Sequence, residues 1–144
     1  MRLATFTDYT LRTLIYLALR PDKLVTIGEI AGAYQISSNH LMKVVHQLAL
    51  SGDVVTARGQ RGGLRLAHPA QEINVGTVVR RSEPTFEMMP CFEGDCVIKP
   101  ECVLIGAANE ALGAFLATFD RYTLADLVRP SVGLARLLRV DLPA

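Results

Sequence analysis

Two short β-prone runs, Val54-Val55-Thr56 and Leu64-Arg65-Leu66, flank the segment Arg58-Gly59-Gln60-Arg61-Gly62-Gly63. That arrangement restricts what the chain can fold into. Glycine supplies the backbone freedom a tight reversal needs, so the two runs read as a hairpin. Helical patterns precede it. Leu11, Leu14, Ile15 and Ala18 recur at helical spacing, so a helix is expected from Thr7 to about Arg20, stopped by Pro21-Asp22. Thr26-Ile-Gly-Glu29 has the form of a capping box and opens a short helix to about Tyr34. Ser37, Ser38 and Asn39 are N-cap candidates for a third helix, with Leu41, Val44, Val45 and Leu48 on one face and an end near Ser51-Gly52. Helix, short helix, helix, hairpin is the order of a winged helix-turn-helix. A brief helix over Val75 to Ser82 closes the module.

Beyond Ser82 the pattern changes. Pro84, Pro90 and Gly94 mark an irregular loop. Pro100 suits the first position of a new helix and Glu101 its first turn. Leu104, Ala108, Ala111, Leu112, Phe115 and Phe119 then follow at helical spacing, with Ile105, Ala107, Ala114 and Leu116 on other sides. A helix this broadly apolar can rest one face on its own module and another on a partner chain. Thr123 to Val128 reads as a short final helix. The expected fold is mostly α: a winged helix-turn-helix with a two-stranded wing plus a long C-terminal dimerisation helix. The chain divides into residues 1–82 for DNA binding, 83–101 as a cysteine-containing loop, and 102–144 for dimerisation.

Charge supports a polyanion partner only in the first part. From Ser37 to Arg81, six basic residues (Lys43, Arg58, Arg61, Arg65, Arg80, Arg81) face two acids, a net +4; from Ser82 to Glu110, six acids face Lys99 alone, a net −5. The whole-chain value of +1 hides this. With Leu41, Val44, Val45 and Leu48 turned inward, Asn39, His40, Lys43 and Gln47 fall opposite. Asn and Gln pair with adenine, and Lys with guanine or phosphate. Ser37 and Ser38 are placed for phosphate contact. A polar helix face is equally compatible with simple solvation. Arg58 and Arg61, on a glycine-rich tip without a nearby acid, shift the balance to DNA. One module of this size binds weakly, so a homodimer on palindromic double-stranded DNA is expected. No run reaches the eighteen or so apolar residues of a membrane span, and the N-terminus lacks a signal-peptide core. A cytoplasmic protein without a membrane partner is expected. No Ser/His/Asp set or phosphate loop points to an enzyme.

All three cysteines, Cys91, Cys96 and Cys102, lie in one stretch. With Pro100 opening the helix, Cys102 would sit in its first turn, where the dipole favours thiolate. The four- and five-residue spacers are awkward for a zinc knuckle and less so for a larger iron–sulfur cluster. Iron–sulfur ranks ahead of zinc on spacing; a redox-active thiol set, or no cofactor, are the alternatives. Met88-Met89 read as packing residues. His46 and His68 lack a second histidine at ligand spacing.

Three motifs together resemble a known family. Met1-Arg-Leu-x-x-Phe-Thr-Asp-Tyr-x-Leu-Arg12, the wing Gly59-Gln-Arg-Gly-Gly-Leu-Arg-Leu66, and three cysteines before a long helix are similar to the Rrf-two-type iron–sulfur regulators. The cysteine spacing and Asp120-Arg-Tyr-Thr-Leu-Ala-Asp-Leu-Val128 look most like the NsrR-type branch, the nitric-oxide-sensing repressors. The resemblance implies a homodimer with crossing dimerisation helices. It also implies a cluster on Cys91, Cys96 and Cys102 with Asp8 of the partner subunit as fourth ligand. A 4Fe-4S cluster is favoured over 2Fe-2S. Arg12, four residues on, would hold the Asp8 carboxylate; apart from the family, Asp8 reads as an ordinary first-turn acid. The IscR branch places a histidine where this chain has Ile105, which cannot ligate. RirA-type iron sensors also use three cysteines. The wing departs from the commoner Arg-Gly-x-Gly-Gly wording at Gln60-Arg61. The resemblance thus implies a repressor that loses DNA on nitrosylation or cluster loss. An iron- or redox-responsive regulator of the same family is one alternative. A zinc- or thiol-containing interaction protein that does not bind DNA is another.

Overall fold

The structure, a computed structural model, describes residues 2–129 and 131–142. Its elements in order are α1 (Thr5–Ala18), α2 (Ile27–Tyr34), α3 (Ser38–Leu50), β1 (Val54–Ala57), β2 (Gly63–Leu66), α4 (Val75–Ser82), α5 (Val103–Asp120), α6 (Leu124–Leu127) and α7 (Ser131–Leu138). Single 3-10 turns stand at Ala70–Glu72, Pro90–Phe92 and Lys99–Glu101. The winged helix-turn-helix and the long fifth helix are as the sequence leads one to expect. The helix α7 is not.

α1 buries a different stripe from the one its leucines suggest. Thr7, Thr10 and Thr13 are buried with Leu14, Tyr16 and Leu17, while Leu11, Ile15 and Ala18 are half-buried. The buried hydroxyls are satisfied. Thr10 donates to the Phe6 carbonyl (2.8 Å) and Thr13 to the Tyr9 carbonyl (2.7 Å). Back-bonding of this kind lets threonine sit inside without an orphaned polar atom. The helix starts at Thr5 rather than Thr7, behind Ala4, which has no side-chain acceptor. Its cap comes from far along the chain. Glu83 accepts from the Ala4 N–H (3.0 and 3.1 Å) and from the Thr7 hydroxyl (2.6 Å). A carboxylate at a helix N-terminus satisfies free N–H groups and complements the dipole.

α2 opens with its capping box: Glu29 N–H donates to Thr26 Oγ1 (3.2 Å) and Thr26 N–H to Glu29 Oε2 (2.7 Å). Gln35 ends it in the left-handed region at φ 55°. α3 turns Leu41, Val44, Val45 and Leu48 inward. β1 and β2 pair antiparallel, with Val54 opposite Leu66 and Ala57 opposite Gly63. Leu64 also bridges to Val25: each N–H donates to the other's carbonyl, at 2.8 and 2.9 Å. A Cβ on Gly63 would stand 2.7 Å from the Val25 carbonyl oxygen, so only glycine permits this approach. Leu14, Leu17, Val25, Ile30, Leu41, Val44, Val78 and Leu124 form the centre of one core. Ala135 and Val140 join it, so the C-terminal segment returns to the N-terminal module.

α5 begins later than expected. Pro100 lies in the 3-10 turn, and Cys102 is the N-cap of a helix starting at Val103 rather than a first-turn residue. Only Ala108 of α5 is buried, while Val103 (84% exposed) and Leu104 (61%) face outward. At 18 residues and a mean hydropathy of 1.3, α5 is long and apolar enough to cross a membrane by length and composition. It is not a continuous apolar run, because Asn109, Glu110 and Asp120 interrupt it.

Leu14, fully buried, should lose about 2–5 kcal/mol of stability on replacement by alanine, read as a lowered urea midpoint at unchanged slope. Acid should loosen the α4–α6 region. Arg80 holds the Asp120 carboxyl below the usual carboxylate range, and the Thr123 N–H does the same for Asp126. A depressed native pKa stabilises above the unfolded value and is lost as pH falls through the folded one. Because these groups are at least partly exposed, melting temperature should fall only slightly on acidification below the ordinary aspartate range, and less so in Asp120→Asn.

Candidate nucleic-acid interface and cysteine loop

α3 is held by its apolar stripe against α1, which leaves the other side free. Ser37, Ser38, Asn39, His40, Lys43 and Gln47 are all exposed. Asn39 is exposed at the start of the helix, and Lys43 borders a cleft with His40 and Thr5, Phe6 and Tyr9 of α1. His40 and Gln47 lie on the flank beside α1: the His40 ring centroid is 6.1 Å from that of Tyr9, and Gln47 lines a cavity of about 170 Å³ with Phe6, Thr10, Asp53 and Arg81. Met42, His46 and Leu50 are also exposed on the outer side; of these the sequence drew notice only to His46, as a metal ligand without a partner histidine. Ser37 is the N-cap residue, but its hydroxyl makes no capping bond and is free for another acceptor.

Arg58 and Arg61 are exposed around the wing tip, where Gly59 takes φ 107°. Among the described residues neither they nor Lys43 is held in an ion pair. Arg65, exposed on β2 opposite Val55, extends this positive edge; its place in the basic run was the only signal for it. Unpaired cations on a solvent-facing ridge suit a polyphosphate backbone.

Asp8 and Arg12 are brought together. Arg12 Nε donates to Asp8 Oδ1 at 2.9 Å, each side chain being 44% exposed. The Arg12 guanidinium carbon also lies 5.7 Å from the Tyr34 ring centroid. Burial pushes the Tyr34 phenol up to about 12, with Arg12 pulling the other way, so the ring is neutral at physiological pH. A cation over a neutral aromatic face is held there electrostatically. Asp8 thus looks into an open cleft of about 640 Å³, bordered by Arg2, Tyr9, Leu11 and Tyr34. Tyr34 and Glu83 are functional candidates that sequence reasoning missed. Neither belongs to a recognisable motif, and both act across long sequence separations.

The cysteines are not brought together. Cys91 is in the 3-10 turn Pro90–Phe92, Cys96 is in irregular backbone, and Cys102 caps α5. All three are free and half-buried. Lys99 Nζ crosses the loop to the Gly94 carbonyl (3.2 Å). Glu87 is lifted above its usual range, chiefly by a hydrogen bond with Glu93, so acidic side chains crowd the loop. The donor chemistry fits an iron–sulfur group, which takes reduced thiolates. Yet among the described residues no three His, Cys, Asp or Glu side chains converge to hold a metal. One chain presents the donors without a closed cage.

Known proteins resemble this chain in sequence and in fold. The Rrf2 family model, described as an iron-dependent transcriptional regulator, matches residues 3–130. The chain is 47% identical over 144 residues to the HTH-type transcriptional regulator NsrR of Bacillus subtilis (strain 168), covering 97% of this chain and 99% of that one. It is 43% identical over 143 residues to the HTH-type transcriptional regulator NsrR of Shouchella clausii (strain KSM-K16), covering 96% of each. Among solved structures, the oxidized form of Staphylococcus aureus CymR superposes with TM-score 0.74 at 25% identity, over 90% of this chain and 97% of that one. T. potens IscR superposes with TM-score 0.73 at 22% identity, over 91% and 88%, a likeness of fold alone. With its winged helix, free cationic edge and match over most of its length, the chain belongs to the Rrf2 family of transcriptional regulators, proteins that bind DNA and are not enzymes.

Proposed function

We propose that this chain is a cytoplasmic, homodimeric repressor that binds a palindromic operator and senses nitric oxide through an iron–sulfur cluster, DNA binding being lost on nitrosylation or cluster loss. Three reduced thiols confined to one loop, in a chain with no other cysteine, carry the proposal. Cys91, Cys96 and Cys102 would hold the cluster, of the 4Fe-4S type, and Asp8 of the partner subunit would complete it. The relatives named NsrR support the branch. When bound, such a cluster supplies iron that a small molecule can attack, most readily where the ligand is a carboxylate.

The polypeptide's own part is to orient and to transmit. Arg12 fixes the Asp8 carboxylate and is itself held by Tyr34. Glu83, where the cysteine loop leaves α4, grips the first turn of α1. α1 packs directly on α3. A shift of the loop or of Asp8 is therefore felt at the reading helix, and two reading helices out of register lose a fixed half-site spacing. The exposed apolar side of α5 is the surface on which a second copy would pack. Asn39, His40, Lys43 and Gln47 would enter the major groove, with Ser37 and Ser38 on phosphates and Arg58 and Arg61 on the wing side.

Anaerobically purified protein should contain iron and sulfide in place of zinc. Its DNA affinity should fall with stoichiometric nitric oxide. Affinity that ignores nitric oxide but falls on iron chelation would instead mark an iron sensor. Asp8→Ala should shorten the life of the visible cluster absorption while the dimer persists; an unchanged spectrum and lifetime would remove Asp8 from the site. Arg58→Ala or Arg61→Ala should reduce the slope of log K against log salt by about 1 each. Unchanged slopes would take the wing out of the interface.

A further inference from the structure

Two adjacent arginines at the end of α4 reach in opposite directions. Arg80 forms a bidentate pair with Asp120, the last residue of α5: Nη2 donates to Oδ2 at 2.8 Å, and Nη1 to Oδ1. Arg81 Nη2 donates to Asp53 Oδ1 at 2.9 Å. Asp53 is buried, and its other oxygen accepts from the Ser51 hydroxyl at 2.6 Å. Ser51 ends α3, and Asp53 immediately precedes β1. One short helix thus joins the end of α5 to the corner between the reading helix and the wing.

The α5 side of this link is built in detail. Asn74 Nδ2 donates to the Asp120 carbonyl at 2.8 Å, and Val75 N–H to the Tyr122 carbonyl at 2.9 Å. Gly76 makes room for the pair. A Cβ there would run into Asp120 Oδ1 and stand 2.9 Å from Arg80 Nη1. Both partners of the pair are about two-fifths exposed, at 41% and 42%. An ion pair so exposed adds little to stability. A planar guanidinium fork on a carboxylate does, however, restrict the angle between the elements that carry it.

We propose that Arg80, Asp120 and Gly76 are positioning residues for operator recognition. Through Arg81 and Asp53 they make α4 a strut that fixes the α3–wing corner relative to α5, and so set which spacing between half-sites the dimer accepts. This rests on the dimer reading above, with α5 as the contact between subunits. If α5 sets the two-fold axis, the strut sets how far and at what angle each reading head stands from it. Each base pair added between half-sites rotates one against the other by about 34°, so a small change of strut angle alters the preferred spacer.

The experiment uses the full-length chain, purified anaerobically, and a duplex that the wild type selects from a randomised pool. That duplex is rebuilt with its two half-sites separated by one base pair fewer or more, and also as a single half-site. Wild type should show one spacer optimum. Asp120→Asn and Gly76→Ala should keep single-half-site affinity, and their preference for the optimum over its neighbours should fall about five-fold. Arg80→Lys, which keeps the charge without the fork, should lie between. Melting curves confirm folding, and Asp120→Asn carries the test alone if Gly76→Ala does not fold. Equal loss on every duplex, the half-site included, or an unchanged spacer profile, would overturn the strut. A wild type with no spacer optimum would instead overturn the dimer reading, and the strut with it.

Discussion

Everything in this fold leans on α1, and α1 is an unusual helix to bury. α3, α4, α6 and β2 all pack on it. Its inward side carries three threonines that have no exposure to water beyond a few per cent. An unbonded hydroxyl in such a place would cost on the order of 1–3 kcal/mol. Thr10 and Thr13 avoid that cost by bonding within the helix, and Thr7 by bonding to Glu83. The last of these also caps the helix, which Ala4 cannot do. The position of α1 is thereby tied to the residue at which the cysteine loop begins. Packing, capping and the approach to the cysteine loop are one arrangement.

Local physics made part of this legible in the sequence. Thr26 and Glu29 announce the start of α2 because both halves of a capping box lie within one turn. Leu41, Val44, Val45 and Leu48 announce the inward side of α3 because a helix repeats every 3.6 residues. The glycine-rich reversal announces the wing. What escaped is either non-local or polar. Thr7, Thr10 and Thr13 recur at helical spacing, but an apolar pattern search passes over hydroxyls. Glu83 meets α1 only in three dimensions. α7 lies beyond Val128, in the stretch 102–144 assigned to dimerisation, whereas Ala135 and Val140 belong to the core. Pro100 marked the right neighbourhood for α5 and the wrong turn: it stands second in the 3-10 turn Lys99–Glu101, where, as at the first position of an α-helix, no N–H is needed for an intrahelical bond.

The candidate site divides the same way. The polar side of α3 follows from the apolar one, so its exposed residues could be written down in advance. The cysteines could be named but not arranged, since irregular backbone has no period to extrapolate. Asp8 was named through family likeness, and the pairing with Arg12 follows from helical geometry. The Tyr34 ring beside Arg12 comes from a different helix, at the hinge between α2 and α3. It links the carboxylate, by way of Arg12, to the helix-turn-helix corner.

The wing has a consequence of another kind. Its base is clamped to the segment before α2 through the Val25–Leu64 bridge, at a spot where Gly63 leaves no room for a side chain. Its tip, from Arg58 to Gly62, packs on nothing in the core. Tolerance to change is therefore uneven: Gly63 at the root and Gly59 and Gly62, which carry the reversal, admit no side chain freely, while Arg58, Gln60 and Arg61 stand open at the tip. A lineage of such regulators could exchange tip residues and acquire new targets without disturbing the scaffold. The same boundary marks where a designer would cut to transplant one wing onto another.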